Sequence, residues 1–162
     1  MKISHAEIPP VYDGNSSVLL LGTMPSPASR EAGFYYMHRQ NRFWPVLAAV
    51  FGEAVPQGLE ERKSFALRHG LALWDVLESC DINGASDSSI RNAKPNDIAA
   101  LIAKTKITRI FCTGTKAYSL YQKLCAPATG IDAQHLPSTS PANAKMSMAE
   151  LVAAYKSLMF QI

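Results

Sequence analysis

The sequence predicts an α/β fold: a three-layer α/β/α sandwich built around a short, about four-stranded parallel sheet. Two observations carry this prediction. Short apolar runs of strand length alternate with segments of helical periodicity, which is the pattern of parallel strands joined by crossover helices. The 162 residues are 48% hydrophobic and 18% charged. That composition suffices for one core of ordinary size, so we expect a single domain over residues 1–162.

The first half of the chain contains two predicted strands and two predicted helices. Residues 16–22, SSVLLLG, form an apolar run that ends in glycine, which is typical of a strand buried on both faces. Residues 43–52 have apolar side chains at helical spacing, and residues 58–70 form a charged amphipathic helix that ends in glycine. Residues 70–80 are predicted as the second strand, which turns polar at Asp75.

The second half repeats the alternation. Asp97 lies just before an apolar segment of helical periodicity, where a helix is expected to begin. Residues 107–112 are predicted as the third strand, and a Thr-Gly-Thr turn leads from it into a helix. Residues 133–145 begin as the fourth strand and continue as a loop rich in serine and proline, and residues 146–162 form the closing helix.

Polar loops follow all four predicted strands. Because the carboxyl ends of parallel strands lie at the same edge of a sheet, we expect these loops to converge on one ligand-binding cleft. The loop after the first strand contains GFYYMHRQNRFW, residues 33–44, with five aromatic rings, a histidine and two arginines. Rings interleaved with polar groups, which a core would have to satisfy, favour a recognition surface.

Bulk composition narrows the class of protein only slightly. The net charge of +3 and the pI of about 8.8 permit binding to a polyanion. This basic excess is smaller than that of a dedicated nucleic-acid-binding module. The three cysteines are too few and too widely spaced to predict a disulfide framework or a zinc site: Cys80, Cys112 and Cys125. No stretch reaches the ~18 apolar residues of a membrane span, and a reducing cytoplasm is the expected location.

Three long segments resemble a known family. They are LLLGTMPSPASREAGFYYMHRQNRFW, LWDVLESCDINGASDSSI and LPSTSPANA. They are similar to the uracil-DNA glycosylase superfamily, and most of all to its hypoxanthine-DNA glycosylase branch, family six. The resemblance implies a uracil-DNA glycosylase-like fold and a monofunctional repair enzyme that hydrolyses the N-glycosidic bond of a deaminated base, foremost hypoxanthine, leaving an abasic site.

The same resemblance implies the partners of the protein. The substrate is double- or single-stranded DNA in which the deaminated nucleotide is flipped out, and a monomer is expected from the size of the chain. No cofactor, no metal and no membrane partner are expected. Iron-sulfur branches of the superfamily need four cysteines, and this chain has three.

The resemblance also implies an unusual catalytic residue. The superfamily usually has Asp or Asn two positions after the glycine of the first strand, where it places the attacking water. Here that position is Met24, whose thioether is a weak acceptor. In the hypoxanthine branch, activity is assigned to the asparagine of the segment HPQNRFW, which matches Asn41. Its carboxamide oxygen is expected to accept a hydrogen bond from water, whereas the residues alone favour a helix cap as the role of Asn41.

The remaining site residues follow from the resemblance. Tyr36 matches a position whose ring stacks on the extruded base, and Ser138 stands where sister branches carry His or Asn. Arg39 replaces the usual proline and adds a charge. The expected base-binding residues are Gly22, Thr23, Met24, Tyr36 and Ser138. The expected DNA contacts are His38, Arg39, Ser88, Lys116, Ser140, Pro141, Ala142, Asn143 and Lys145, with residues 140–145 as a wedge in the base stack.

Several alternatives stay open from the sequence. Uracil or xanthine could be the target base, because pocket shape sets base choice. A non-catalytic nucleic-acid-binding module that kept the cleft would explain both Met24 and Ser138. Assistance to the leaving base is open between Ser138, Ser140, His135 and backbone N–H groups. Three rings of the aromatic stretch are interpreted as core: Phe34, Phe43 and Trp44.

Overall fold

The computed structural model describes residues 2–4, 8–83 and 89–159. Its strands are β1 (Lys2–Ser4), β2 (Val18–Gly22), β3 (Leu71–Asp75), β4 (Leu77–Asp81), β5 (Arg91–Pro95), β6 (Arg109–Thr113) and β7 (Ala133–Leu136). Its helices are α1 (Pro27–Ala32), α2 (Phe43–Phe51), α3 (Gly58–Arg68), α4 (Ile98–Ala103), α5 (Thr115–Leu124), α6 (Ala126–Thr129) and α7 (Met148–Tyr155). A 3-10 helix over Lys156–Met159 follows α7.

The central sheet consists of four parallel strands in the order β3-β2-β6-β7. β2 pairs with β3 on one side and with β6 on the other, so that Val18 lies opposite both Leu71 and Arg109. The connections between successive strands of this sheet all contain helices. The predicted α/β/α class with about four parallel strands is therefore confirmed.

Alternate residues of β2 contribute to two separate cores. Val18 and Leu20 belong to one cluster, whereas Leu19 and Leu21 belong to the other. All four are almost completely buried. An unbroken apolar run is what a strand covered on both faces requires, and the strand predicted over 16–22 is confirmed from residue 18 onward.

The two layers on the sheet differ in composition. One is rich in aromatic rings from α2, α3 and α7, and it includes the predicted core residues Phe34, Phe43 and Trp44. The other is mainly aliphatic and combines α4 and α5 with β4. The aromatic layer therefore lies directly beneath the stretch that the sequence singled out.

The prediction of one strand over residues 70–80 is wrong. β3 ends at Asp75, and β4 joins β1 and β5 in a separate antiparallel sheet. Between them, Val76 donates its N–H to the carbonyl of Gly22 at 2.8 Å before the chain leaves the parallel sheet. A continuous apolar run in the sequence indicates a buried segment, but it does not indicate where the chain bends between two strands. The loop after residue 81 therefore leaves β4, not the parallel sheet.

The helices predicted over 43–52 and 58–70, after Asp97 and after the Thr-Gly-Thr turn are all confirmed. Asp97 caps α4 by accepting the N–H of Ala100 at 3.1 Å. The closing helix begins later than predicted, at Met148, because Ser147 is its N-cap and forms a capping box with Glu150 in the first turn. None of the helices within residues 2–4, 8–83 and 89–159 has the length and hydropathy to span a membrane.

Candidate active site

A cavity of about 700 Å³ opens at the carboxyl ends of the parallel strands. Its walls come from the ends of β2, β3 and β6 and from the loops after β2 and β7, in the position expected for a ligand site of an open α/β sheet. The predicted site residues that line it are Gly22, Thr23, Met24, Tyr36, His38, Asn41, Ser138, Ser140, Pro141 and Ala142.

The floor of the cavity is formed where β2 and β3 end. Gly22 has no room for a side chain, because a Cβ built there would lie 2.6 Å from Oδ1 of Asp75 and 3.4 Å from the hydroxyl of Tyr36. Asp75 is only 4% exposed, and it lines the cavity. The glycine thus admits a buried side chain with two acceptor oxygens to the bottom of the site.

Tyr36 forms part of the cavity wall. Its ring stacks on Phe43 with the centroids 3.7 Å apart and the planes 12° from parallel, and its hydroxyl shares a 3.1 Å hydrogen bond with that of Thr113. Its φ of +56° is in the left-handed region, which costs a non-glycine residue about 1–2 kcal/mol. Burial, and next the charge of Asp75, raise the pKa of Tyr36 well above its ordinary value, so the hydroxyl stays neutral.

Helix α1 supports the segment that carries Tyr36. Ser26 caps the helix by accepting the N–H of Ser29 at 3.1 Å, and Gly33 ends it in the left-handed conformation. The hydroxyl of Ser29 is buried and accepts the N–H of Met37 at 3.0 Å. This short helix, which the sequence analysis did not predict, fixes the backbone next to the aromatic wall.

Met24 follows Gly22 at the position where the superfamily usually has a carboxylate or carboxamide. It lines the cavity and packs against the aliphatic core. A thioether in that place contributes apolar surface and no strong hydrogen bond. The strongly polar groups of the site therefore come from other segments.

Asn41 lies at the cavity with its carboxamide already engaged. Oδ1 accepts the N–H of Phe43 at 2.9 Å and the hydroxyl of Thr139 at 2.7 Å. A carbonyl oxygen has two lone pairs, so both are used, and the backbone donor fixes which end of the amide is the oxygen. Within the described residues, Nδ2 makes no hydrogen bond to protein. The expectation that the oxygen is available to water needs correction: the group left for a ligand is the NH₂ donor.

The alternative role of Asn41 as the N-cap of α2 needs correction, because Arg42 occupies the N-cap position. The Asn41 oxygen accepts the N–H of Phe43, two residues on, as in an Asx turn that precedes the helix. Bonding the first amide of α2 and facing the cavity are thus compatible in one side chain.

Thr139 holds Asn41 from the other side of the cavity. The residue is 2% exposed, and its backbone carbonyl accepts the N–H of Arg42 at 3.1 Å. The loop after β7 and the start of α2 are therefore joined by a hydroxyl and a backbone bond. The consequence is that the Asn41 amide is oriented by a residue 98 positions away in the chain.

His38 presents a defined tautomer at the cavity. Its Nδ1 accepts the N–H of Gln40 at 3.1 Å, so in the neutral ring Nε2 carries the proton. Its own carbonyl accepts the N–H of Asn41. The imidazole thus offers one further donor and helps to shape the turn before Asn41.

The loop after β7 is a tight structure at the cavity mouth. The Ser138 hydroxyl accepts the N–H of Ser140 at 3.1 Å, and the Ser138 carbonyl accepts Nδ2 of Asn143 at 2.9 Å. Pro141 and Ala142 are exposed at its tip and line the mouth. The side chain of Asn143 therefore closes this loop.

The predicted cationic contacts lie outside the cavity. Arg39 and Lys145 are exposed, and Lys116 is half-buried in the first turn of α5. Ser88, the remaining predicted contact, falls outside the described residues. The structure thus brings the predicted base-binding residues and the loop tip together at the cavity. The predicted contacts Arg39, Lys116 and Lys145 do not line it.

Sequence reasoning missed two residues that line this cavity, Asp75 and Thr139, and one residue outside it, Arg42, which binds the loop after β7. For Asp75 a signal existed, because a carboxylate directly after a buried apolar run indicates a polar strand end. For Thr139 and Arg42 the important contacts cross about a hundred residues, and no local pattern reports them.

Comparison with known proteins gives a consistent set of relatives. Residues 9–160 match the family model of the uracil DNA glycosylase superfamily. A hypoxanthine DNA glycosylase of Methanosarcina acetivorans is 31% identical over 86% of this chain and 88% of its own length. The protein of the same name from Methanosarcina barkeri is 29% identical over 83% and 85%. The solution NMR structure of a proposed uracil DNA glycosylase from M. acetivorans superposes with a TM-score of 0.80 at 29% identity, covering 99% of this chain and all of that one.

Proposed function

The chain belongs to the uracil DNA glycosylase superfamily, and from this premise we propose that it is a monofunctional DNA glycosylase that removes hypoxanthine from DNA by hydrolysing the N-glycosidic bond of deoxyinosine. The observation that carries the proposal is the cavity itself, in which the Tyr36 ring and the Asn41 amide face the same space. Two relatives over most of the chain are named hypoxanthine DNA glycosylase, which supports this choice of base.

The Tyr36 ring provides a platform for the extruded base. One of its faces is occupied by Phe43, and the ring lines the cavity, so the other face is available for stacking. Stacking of a base on an aromatic side chain is worth roughly 1–3 kcal/mol and depends little on which base is bound. Base choice must therefore come from the hydrogen-bonding groups around the ring.

Asp75 and Asn41 supply a matched acceptor and donor. Hypoxanthine in its keto form carries a donor at N1–H and acceptors at O6, N3 and N7. The Asp75 carboxyl accepts from N1–H, and Nδ2 of Asn41 donates to a ring or carbonyl acceptor of the base. Adenine lacks the N1 proton and therefore cannot make this hydrogen bond, and a site built to bond a donor of its substrate discriminates against an analogue that lacks the donor.

In this proposal Asn41 assists departure of the base. Negative charge builds up on the base as the sugar acquires oxocarbenium character, and donors aimed at that charge lower the barrier. Nδ2 is such a donor, and its orientation is fixed in advance because Phe43 and Thr139 hold the oxygen end. A neutral amide takes up no proton, so Asn41 is not a general base.

The experiment uses duplexes that carry one deoxyinosine, deoxyuridine or deoxyxanthosine, with alkaline scission of the abasic product. We expect scission at deoxyinosine, with a fall of about 10²–10³-fold in the single-turnover rate for Asn41→Ala, the usual loss for one transition-state donor. Asn15→Ala is the matched control, since Asn15 is exposed before β2 at the far end of the sheet. Scission only at deoxyuridine or deoxyxanthosine would reassign the base, and binding without scission would contradict an enzyme.

A further inference from the structure

Both terminal nitrogens of the Arg42 guanidinium donate to the backbone of the loop after β7. Its Nη1 donates to the carbonyl of Met146 at 2.7 Å, and its Nη2 donates to the carbonyl of Asn143 at 2.9 Å. Its backbone N–H donates to the carbonyl of Thr139. One residue at the start of α2 therefore contacts this loop at three carbonyls.

The loop depends on such external contacts because it has no regular structure of its own. Residues 137–147 connect β7 to α7, and their internal bonds are confined to residues 138–143. Arg42 contacts the later part through the carbonyl of Met146, whose side chain packs against the aromatic core. A planar guanidinium spans two carbonyls at once, whereas a lysine ammonium is a single point donor on a flexible stem.

The position of Arg42 links the mouth of the cavity to its interior. Asn41, the preceding residue, faces the cavity, and the loop tip at Pro141 and Ala142 lines the mouth. Since two guanidinium nitrogens already donate to protein carbonyls, Arg42 is poorly placed as a phosphate contact. Its geometry fits a residue that fixes the shape of the loop.

We propose that Arg42 is a positioning residue that holds the 137–147 loop in the shape required to extrude a nucleotide from a duplex, and that it is not required for hydrolysis once the base is in the cavity. The proposal rests on the function proposed above. The two neighbouring residues then act in different steps: Arg42 supports extrusion of the nucleotide, and Asn41 assists cleavage of the glycosidic bond.

The test compares Arg42→Met with wild type on deoxyinosine in single-stranded and in duplex DNA, under single-turnover conditions with saturating enzyme. We expect the duplex rate to fall about tenfold or more and the single-strand rate to change less than about twofold, with a smaller loss when deoxyinosine lies in a mismatch. Asn41→Ala should lose activity equally on both. Lys123→Met, which removes an exposed charge at the far end of α5, is the control and should match wild type.

Two other outcomes would overturn the proposal. An equal loss on single-stranded and duplex DNA would indicate a general structural role. The slope of the logarithm of the duplex binding constant against the logarithm of salt concentration is the second measurement. A decrease of about one in its magnitude for Arg42→Met would indicate that Arg42 contacts a phosphate instead. If Arg42→Met loses its near-ultraviolet circular dichroism, Arg42→Lys replaces it, with a smaller duplex-specific loss expected because one carbonyl can still be reached.

Failure of the proposed function can be told apart from failure of this inference. A wild-type protein that releases no base from either substrate contradicts the function. Extrusion is then measured directly, through the fluorescence of 2-aminopurine placed beside deoxyinosine in a duplex. A rise with wild type that is absent with Arg42→Met supports the role of Arg42, and an equal rise with both proteins overturns it.

Discussion

At the residue scale, the site depends on how one amide is oriented. The hydrogen bond from the N–H of Phe43 to the Asn41 oxygen is local, and an asparagine just before an apolar helix makes a contact of this kind predictable from sequence. The bond from Thr139 could not be predicted, because it joins residues 98 positions apart. That second bond determines the chemistry, since it occupies the oxygen and leaves the NH₂ group for the ligand.

Thr139→Val should lower the rate of base release while leaving the fold intact. Valine has nearly the same shape but cannot donate, so the Asn41 oxygen loses one partner and the amide gains freedom to rotate. We expect a loss of about tenfold in single-turnover rate. Thr139→Ser keeps the hydroxyl and should restore most of the rate; equal loss in both variants would show that the methyl contact, not the hydrogen bond, matters.

Asp75→Asn should weaken the choice of base. The carboxamide has one acceptor oxygen instead of two and carries no charge, so it accepts the N1–H of hypoxanthine more weakly, and release of hypoxanthine should fall by about 10- to 100-fold. The rate of base release from deoxyinosine divided by the rate from deoxyadenosine should therefore decrease. Asp132→Asn, an exposed change before β7, is the matched control. An unchanged ratio in Asp75→Asn would remove this residue from base recognition.

At the scale of elements, predictability followed the hydrophobic pattern. β2 and β6 contain apolar runs, VLLL and IFC, and were recognised, as were the amphipathic helices. β7, AQHL, was predicted as well, although its two central residues are polar and exposed. β5 was not, because its residues Arg91–Pro95 are polar and end in proline, as suits an edge strand. The bend between β3 and β4 was hidden inside one continuous apolar run.

Glu53 connects the ends of α2 and α3 through contacts with Arg68 and His69. The hydrogen bond from Arg68 is the largest cause that lowers the pKa of Glu53 below 4.5. A carboxyl with a lowered folded-state pKa stabilises above its unfolded pKa, and this stabilisation is lost as pH falls through the folded value.

Glu53→Gln should therefore reduce the free energy of unfolding at neutral pH, and the difference from wild type should shrink at about pH 3. Urea unfolding at both pH values measures it. Glu60→Gln is the control, because Glu60 is exposed and makes no ion pair within the described ranges. A difference that does not depend on pH would exclude the ionic contribution.

At the scale of the whole molecule, the fold class was predictable because the alternation of strands and helices runs through most of the chain. Both faces of the sheet are covered, and the ligand cavity lies at the edge that this topology specifies. What the pattern could not reveal is the smaller antiparallel sheet, in which β4 pairs with the distant β1 and with the polar strand β5.

The three cysteines lie in buried positions of this molecule. Burial raises the pKa of Cys112 to about 12 and that of Cys125 to about 11, from 9.0. Because the folded values are raised, their stabilising contribution is complete below about pH 9 and is lost as pH rises toward 12. Native protein should leave its thiols unreacted with a disulfide reagent near pH 8, and unfolded protein should expose three. Rapid reaction of the native thiols would contradict this burial.

The central claim is that Asn41 acts as a hydrogen-bond donor to a base held against Tyr36. The most direct measurement is a crystal structure of the protein with a duplex that contains 2′-fluoro-deoxyinosine, whose glycosidic bond resists cleavage. The account predicts hypoxanthine stacked on Tyr36, Nδ2 of Asn41 within hydrogen-bond distance of the base, and Oδ1 still bonded to Phe43 and Thr139. A base outside the cavity, or an Oδ1 that has left Thr139 to hold a water, would contradict it.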